Sequence, residues 1–108
     1  MAAPLTDGLS QEVKAQFLVL QRRFAAGLSS RWREIRDASD GPALQVALHR
    51  LAGSSASFGF GRIGQCARDA EVLALNGSSA ALDQALALLE SEIGLVQGDG
   101  VAGSWVGP

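Results

Sequence analysis

Four runs of apolar residues spaced three and four apart, separated by short clusters of helix-stopping residues, leave this chain little room to be anything but a bundle of helices. Between Ser10 and Arg36, Val13, Phe17, Leu20, Phe24, Leu28, Trp32 and Ile35 recur at the period of a single helix face. Ser10 is a good N-cap and Glu12 suits the first turn. Gly27 interrupts the run at a cost of about 1 kcal/mol relative to Ala and is a natural place for a bend. The spacing predicts one long helix over about residues 10–38.

The sequence "DASDGP" then breaks the pattern, with Asp40 or Gly41 as the next cap and Pro42 in the first turn, where its missing N–H does no harm. A second helix is predicted over about 42–57, and a third over about 61–76 on Ile63, Ala67, Ala70 and Ala74. Asn76-Gly77-Ser78 fits a glycosylation sequon but reads better as the end of that helix. Leu82, Leu86, Leu89, Ile93 and Val96 carry a fourth, over about 79–96. Each helix has one apolar stripe and none is apolar all round. The expected fold is therefore an all-α, antiparallel four-helix bundle, up-down-up-down, in a single domain spanning residues 1–108. The glycine-rich tail over 97–108 is expected to be irregular, with Trp105 able to dock on the bundle.

Charge and composition remove several function classes. A formal net charge of -2 gives no long-range attraction for nucleic acid. The start, "MAAPLTDGLSQE", has no basic or apolar leader, and no run approaches the roughly 18 apolar residues of a membrane span, so a cytoplasmic protein without membrane contact is expected. The single cysteine, Cys66, reads as a small buried hydrophobe, and with one histidine in the chain it makes no metal site.

That histidine is His49. Leu44, Leu48, Leu51 and Ser55 define the core face of the second helix, and His49 lies ~130° from its centre, on the solvent side. Ala52, Gly53 and Ala56 share the histidine's face. Gly53 is the informative one: inside a helix it is costly, and clearance is the use that explains it. A bare helix surface beside an exposed imidazole admits another protein's backbone and a group as large as a phosphoryl. In the third helix Glu71 falls on the flank of the apolar stripe, with Arg68 one turn earlier on the same side. A carboxylate accepting from the Nδ1–H of His49 would fix the tautomer and leave Nε2 as a nucleophile.

"GFGRIG", Gly59 to Gly64, matches G-x-G-x-x-G letter for letter. The motif has meaning only between a strand and a helix, and here a helix precedes it, so these glycines read as a turn between helices.

With those residues in view, "HRLAGSSASFGFGRIGQCARDAE", His49 to Glu71, resembles the histidine-containing phosphotransfer (HPt) domain. That family's signature is His-x-Leu-Lys-Gly-Ser/Ala followed by a glycine-containing turn and a helix. The resemblance implies that His49 is a phosphoacceptor, taking a phosphoryl group from the aspartate of one receiver domain, or from a kinase, and passing it to another receiver. It puts Gly53 on the family's glycine and Glu71 where relatives carry a Gln or Glu bonded to the active imidazole. Where the family has lysine this chain has Ala52, and Arg50 or Arg68 could supply the missing charge. Arg50, Ala52, Gly53, Ala56 and Arg68 are thus the expected phosphate- and partner-facing residues. The implied partners are response-regulator receiver domains and a sensor or hybrid histidine kinase, acting on a monomer. The divalent metal belongs to the receiver, and this chain needs no cofactor of its own. It is a phosphocarrier without an ATP-binding motif. The competing reading is a helical module that docks on a receiver or kinase through the same bare face without being phosphorylated.

Overall fold

The computed structural model describes residues 10–99, and every element among them is a helix: α1 (Gln11–Ala26), α2 (Leu28–Arg36), α3 (Gly41–Ser57), α4 (Gly61–Asn76) and α5 (Ser79–Asp99). Helices α1 and α2 together form the first arm of a four-helix bundle, and α3, α4 and α5 the other three. The stops work as local chemistry dictates. Ser10 caps α1 by accepting from the Val13 N–H at 3.2 Å, Asp40 caps α3 by accepting from Ala43 at 2.8 Å, and Ser78 accepts from Ala81 at 3.1 Å at the start of α5. Asn76 ends α4, with Gly77 as its C-cap.

Two boundaries differ from the sequence expectation. The single helix over 10–38 is divided at Gly27, whose φ of -86° and ψ of -3° depart from α-helical values and whose N–H is shared between the carbonyls of Arg23 and Phe24. The ladder resumes at once, with Arg31 donating to the Gly27 carbonyl at 3.1 Å. At the other end α5 runs on to Asp99 instead of stopping near Val96, so Gln97 belongs to a helix and not to an irregular tail. A single glycine, Gly98, weakens a helix but supplies no hydrogen-bonding alternative that would stop one. Residues 100–108, with Trp105, lie outside the described residues.

The core holds Phe24, Leu28, Ile35, Leu48, Leu51, Ile63, Leu89 and Ile93, all at most 5% exposed, with Cys66, Ala67 and Ala70 filling the α4 side. Burial pushes the Cys66 thiol above its ordinary pKa. Helices α3 and α4 approach closely at Gly64: a Cβ built there would stand 3.3 Å from the Ala52 carbonyl oxygen and 3.5 Å from the Ala56 nitrogen. Within Gly59 to Gly64, Gly59 and Phe60 end α3, and Gly61 to Gly64 form the first turn of α4. Gly59 adopts φ +85°, its N–H donates to Ala56 and that of Phe60 to Ser55, which satisfies the last carbonyls of α3 in a Schellman motif. The turn is roofed by aromatic rings, with Phe24 stacked on Phe58 and Phe60 at centroid distances of 5.2 and 5.6 Å. Gln21 of α1 donates to the Phe58 carbonyl at 2.7 Å. On the opposite side of α4, Arg62 donates through Nε and Nη2 to both carboxylate oxygens of Glu92 on α5, at 3.1 and 3.0 Å. That pairing holds the Glu92 carboxyl below the usual range.

Candidate functional site

His49 and Glu71 come together because α3 and α4 are packed close enough for a short carboxylate arm to span them. The Nδ1 atom of His49 lies 3.1 Å from Oε2 of Glu71 and 3.4 Å from Oε1. An ionised carboxylate can only accept, so the ring nitrogen facing it must carry the proton. The two partners are exposed unequally: the imidazole side chain is 76% exposed and that of Glu71 only 16%. The carboxylate is thus set into the flank of the bundle as a fixed acceptor. Among the described residues no hydrogen bond engages the other ring nitrogen, Nε2, and the ring is mostly exposed.

Around this pair runs an open groove of about 530 Å³ between α3 and α4. Gly53 lies on it, and a Cβ added there would meet nothing within 4 Å, so the absence of a side chain creates free space and does not relieve a contact. Ala56, one turn further on, is exposed. Ala52 corrects the sequence expectation. It was placed with Gly53 on the open face, yet it is only 4% exposed and forms the groove's floor. Ala52 follows Leu48 by four residues and precedes Ser55 by three, about 70° from the centre of the core face, and the close approach at Gly64 covers that flank.

The two arginines separate. Arg68 lines the groove that holds His49 and Glu71, whereas Arg50, although adjacent to His49 in sequence, lines a different groove with Glu34 and Val46 between α2 and α3. One residue along a helix is a turn of about 100°, enough to send the two side chains to opposite flanks.

Several groove residues escaped the sequence reading. Asp69 accepts from Gln65 at 2.9 Å, and Val72 and Leu75, 57% and 59% exposed, form an apolar rim. Arg68, Val72 and Leu75 follow one another at i, i+4 and i+7, so the signal was a second, shorter stripe on the solvent side of α4. Among the described residues no group of three His, Cys, Asp or Glu side chains could hold a metal ion, and no helix is long and apolar enough to cross a membrane.

Chemically, the arrangement offers one solvent-facing imidazole nitrogen in a fixed tautomer, a carboxylate to balance positive charge on the ring, and an approach kept free of side chains. A family model described as the Hpt domain matches residues 8–99. No curated protein and no solved structure matches the chain.

Proposed function

The chain belongs to the Hpt domain family, whose members pass phosphoryl groups along two-component phosphorelays, and from that premise we propose that His49 is the residue phosphorylated here, with Glu71 orienting its ring. The observation that supports this reading is the His49–Glu71 pair: Nδ1 engaged by a largely buried carboxylate, Nε2 open to a partner.

Transfer from a receiver then proceeds by in-line displacement. The Nε2 lone pair attacks phosphorus, the Nε2–P bond forms, and the P–O bond to the receiver's aspartate breaks with its electron pair returning to the carboxylate. The ring keeps its Nδ1 proton and becomes cationic, opposite the negative charge of Glu71. Reversal of the same step onto a second receiver returns the ring to neutrality. A divalent metal on the receiver would supply charge stabilisation for the transfer, and this chain contributes the nucleophile, its orientation and a docking face. Gly53 and Ala56 keep that approach clear, and a sensor or hybrid histidine kinase is the upstream partner that feeds phosphoryl groups into the relay.

Incubation of the protein with phosphorylated receivers and kinases from its own cell tests the reading. Label is expected on wild type as an acid-labile, base-stable phosphoramidate. It is expected to vanish in His49→Ala while stability changes by no more than about 0.5 kcal/mol, the usual range for an exposed site. Label retained on His49→Ala would overturn the assignment. Receiver binding without any labelling of wild type would instead favour a docking module.

A further inference from the structure

A phosphoryl group on Nε2 of His49 would enter a groove whose own charges oppose it. It carries roughly two negative charges at neutral pH. The groove already holds the carboxylates of Glu71 and Asp69. Both oxygens of Glu71 face the imidazole, and Asp69 is held by Gln65, so neither turns away. The cationic ring answers Glu71, which leaves the charge of the phosphoryl group in one groove with the Asp69 carboxylate and in need of a further cation.

Three arginines stand close enough in sequence or on α4 to be considered. Arg62 is engaged through two hydrogen bonds by Glu92 on the far side of α4. Arg50 points into the groove between α2 and α3. Arg68 is the one cationic side chain lining the His49 groove, it is exposed, and among the described residues it makes no ion pair. It lies three residues before Glu71 on the same helix face, yet Glu71 is committed to His49.

We propose that Arg68, and not Arg50, is the phosphoryl-binding residue of this domain, its guanidinium donating to the non-bridging oxygens of the group carried on His49. The assignment rests on His49 being the phosphoacceptor. Guanidinium is suited to the task because it remains charged at all relevant pH and presents paired donors to two oxygens at once. Since the interaction exists only once phosphorus reaches the ring, it acts on the transition state and the phosphorylated product, leaving the resting protein unaffected.

The protein and its Arg68→Gln, Arg68→Lys and Arg50→Gln variants would be labelled from two donors, a phosphorylated receiver and the small donor phosphoramidate, which needs no docking surface. Arg68→Gln is expected to slow labelling from both donors by about tenfold or more, Arg68→Lys to recover part of the rate, and melting temperature to stay at the wild-type value. On phosphorylation the Arg68 Nε–H resonance should shift in the NMR spectrum. Slowing from the receiver alone would make Arg68 a docking residue and overturn the proposal, as would labelling slowed by Arg50→Gln but not by Arg68→Gln. If wild type takes no label from either donor, what fails is the phosphoacceptor reading itself, a result separate from unchanged rates in Arg68→Gln.

Discussion

Helices α3 and α4 meet through small residues, and α1 meets the rest of the bundle through large ones. Gly64, Ala67, Ala70, Ala52 and Ser55 let two backbones approach until a Cβ at position 64 would crowd the opposite chain. In α1 only Phe24 is buried. Val13, Leu18, Val19 and Leu20 are 44–49% exposed, and the helix is held by aromatic stacking at the α3–α4 turn and by the Gln21 hydrogen bond. Small residues permit a fixed separation, and a fixed separation is what allows Glu71 to reach His49 at 3.1 Å. Large side chains tolerate a looser fit because they can repack. The His49–Glu71 pair therefore sits on two helices packed through small residues, where the separation has little room to vary.

The most severe way to break this contrast is to hollow the rigid pair. Leu51 is 1% exposed on the core face of α3, two residues from His49. Leu51→Ala is expected to cost about 2 to 5 kcal/mol, the range for truncating a fully buried leucine. Denaturant unfolding measures it, and a loss under 1 kcal/mol would mean that the α3 core collapses around the cavity more readily than a close-packed helix pair should.

Wedging the pair apart is the next test. Gly64→Leu pushes carbon into the Ala52 carbonyl and the α3 backbone, neither of which is the free end of a flexible side chain. A cost of about 1 to 3 kcal/mol is expected from overpacking. Because His49 and Glu71 lie on the two helices being separated, phosphoryl acceptance should fall more than stability does. NMR of the His49 ring would show the Nδ1 proton losing its partner. Stability lost with the ring signals unchanged would show that the two helices separate elsewhere.

How much of this was legible in the sequence divides along the same line. The stripes of α3 and α4 were readable because every third or fourth residue of Leu48, Leu51 and Ser55, or Ile63, Ala67 and Ala70, is buried at 2% exposure or less. Their phases placed His49 outward and Glu71 on the flank. The burial of Ala52 was legible in part, since it follows Leu48 by four residues and precedes Ser55 by three, about 70° from the centre of the core face, while its full coverage depends on how closely α4 approaches. Arg62 and Glu92 are 30 residues apart and pair only once α4 and α5 are packed. In α1 the stripe was visible, but periodicity states what a helix can bury and says nothing about whether a neighbour extends far enough to cover it. Val13 and Leu20 are on the stripe and lie 44% and 45% exposed.

Gly53 sharpens the comparison from inside the rigid pair. It and Gly64 are both helical glycines on α3 and α4, one facing open space and the other a crowded backbone. Gly53→Leu should leave the melting temperature at or slightly above wild type, since any side chain in a helix interior removes a penalty of up to about 1 kcal/mol. Transfer from a receiver should nevertheless slow by tenfold or more as the cleared approach fills. Wild-type transfer rates with that substitution would show that clearance is not the glycine's use.

The smallest effect belongs to α1. Leu20 lies on the helix's apolar stripe and would count as core by spacing, yet nearly half of it faces solvent. Leu20→Gln keeps helix propensity close to that of leucine and removes only partly buried apolar surface, so a change of no more than about 1 kcal/mol is expected. Its distance from the α3–α4 pair should leave the His49 ring signals and the transfer rate from phosphoramidate as they are. A substantially larger loss would mean that the exposed face of α1 is covered in solution, and a strong dependence of that loss on protein concentration would identify the cover as a second copy of the chain. Loss independent of concentration would instead point to residues of the same chain, and in either case the division between a close-packed α3–α4 pair and a loosely held first arm would have to be redrawn.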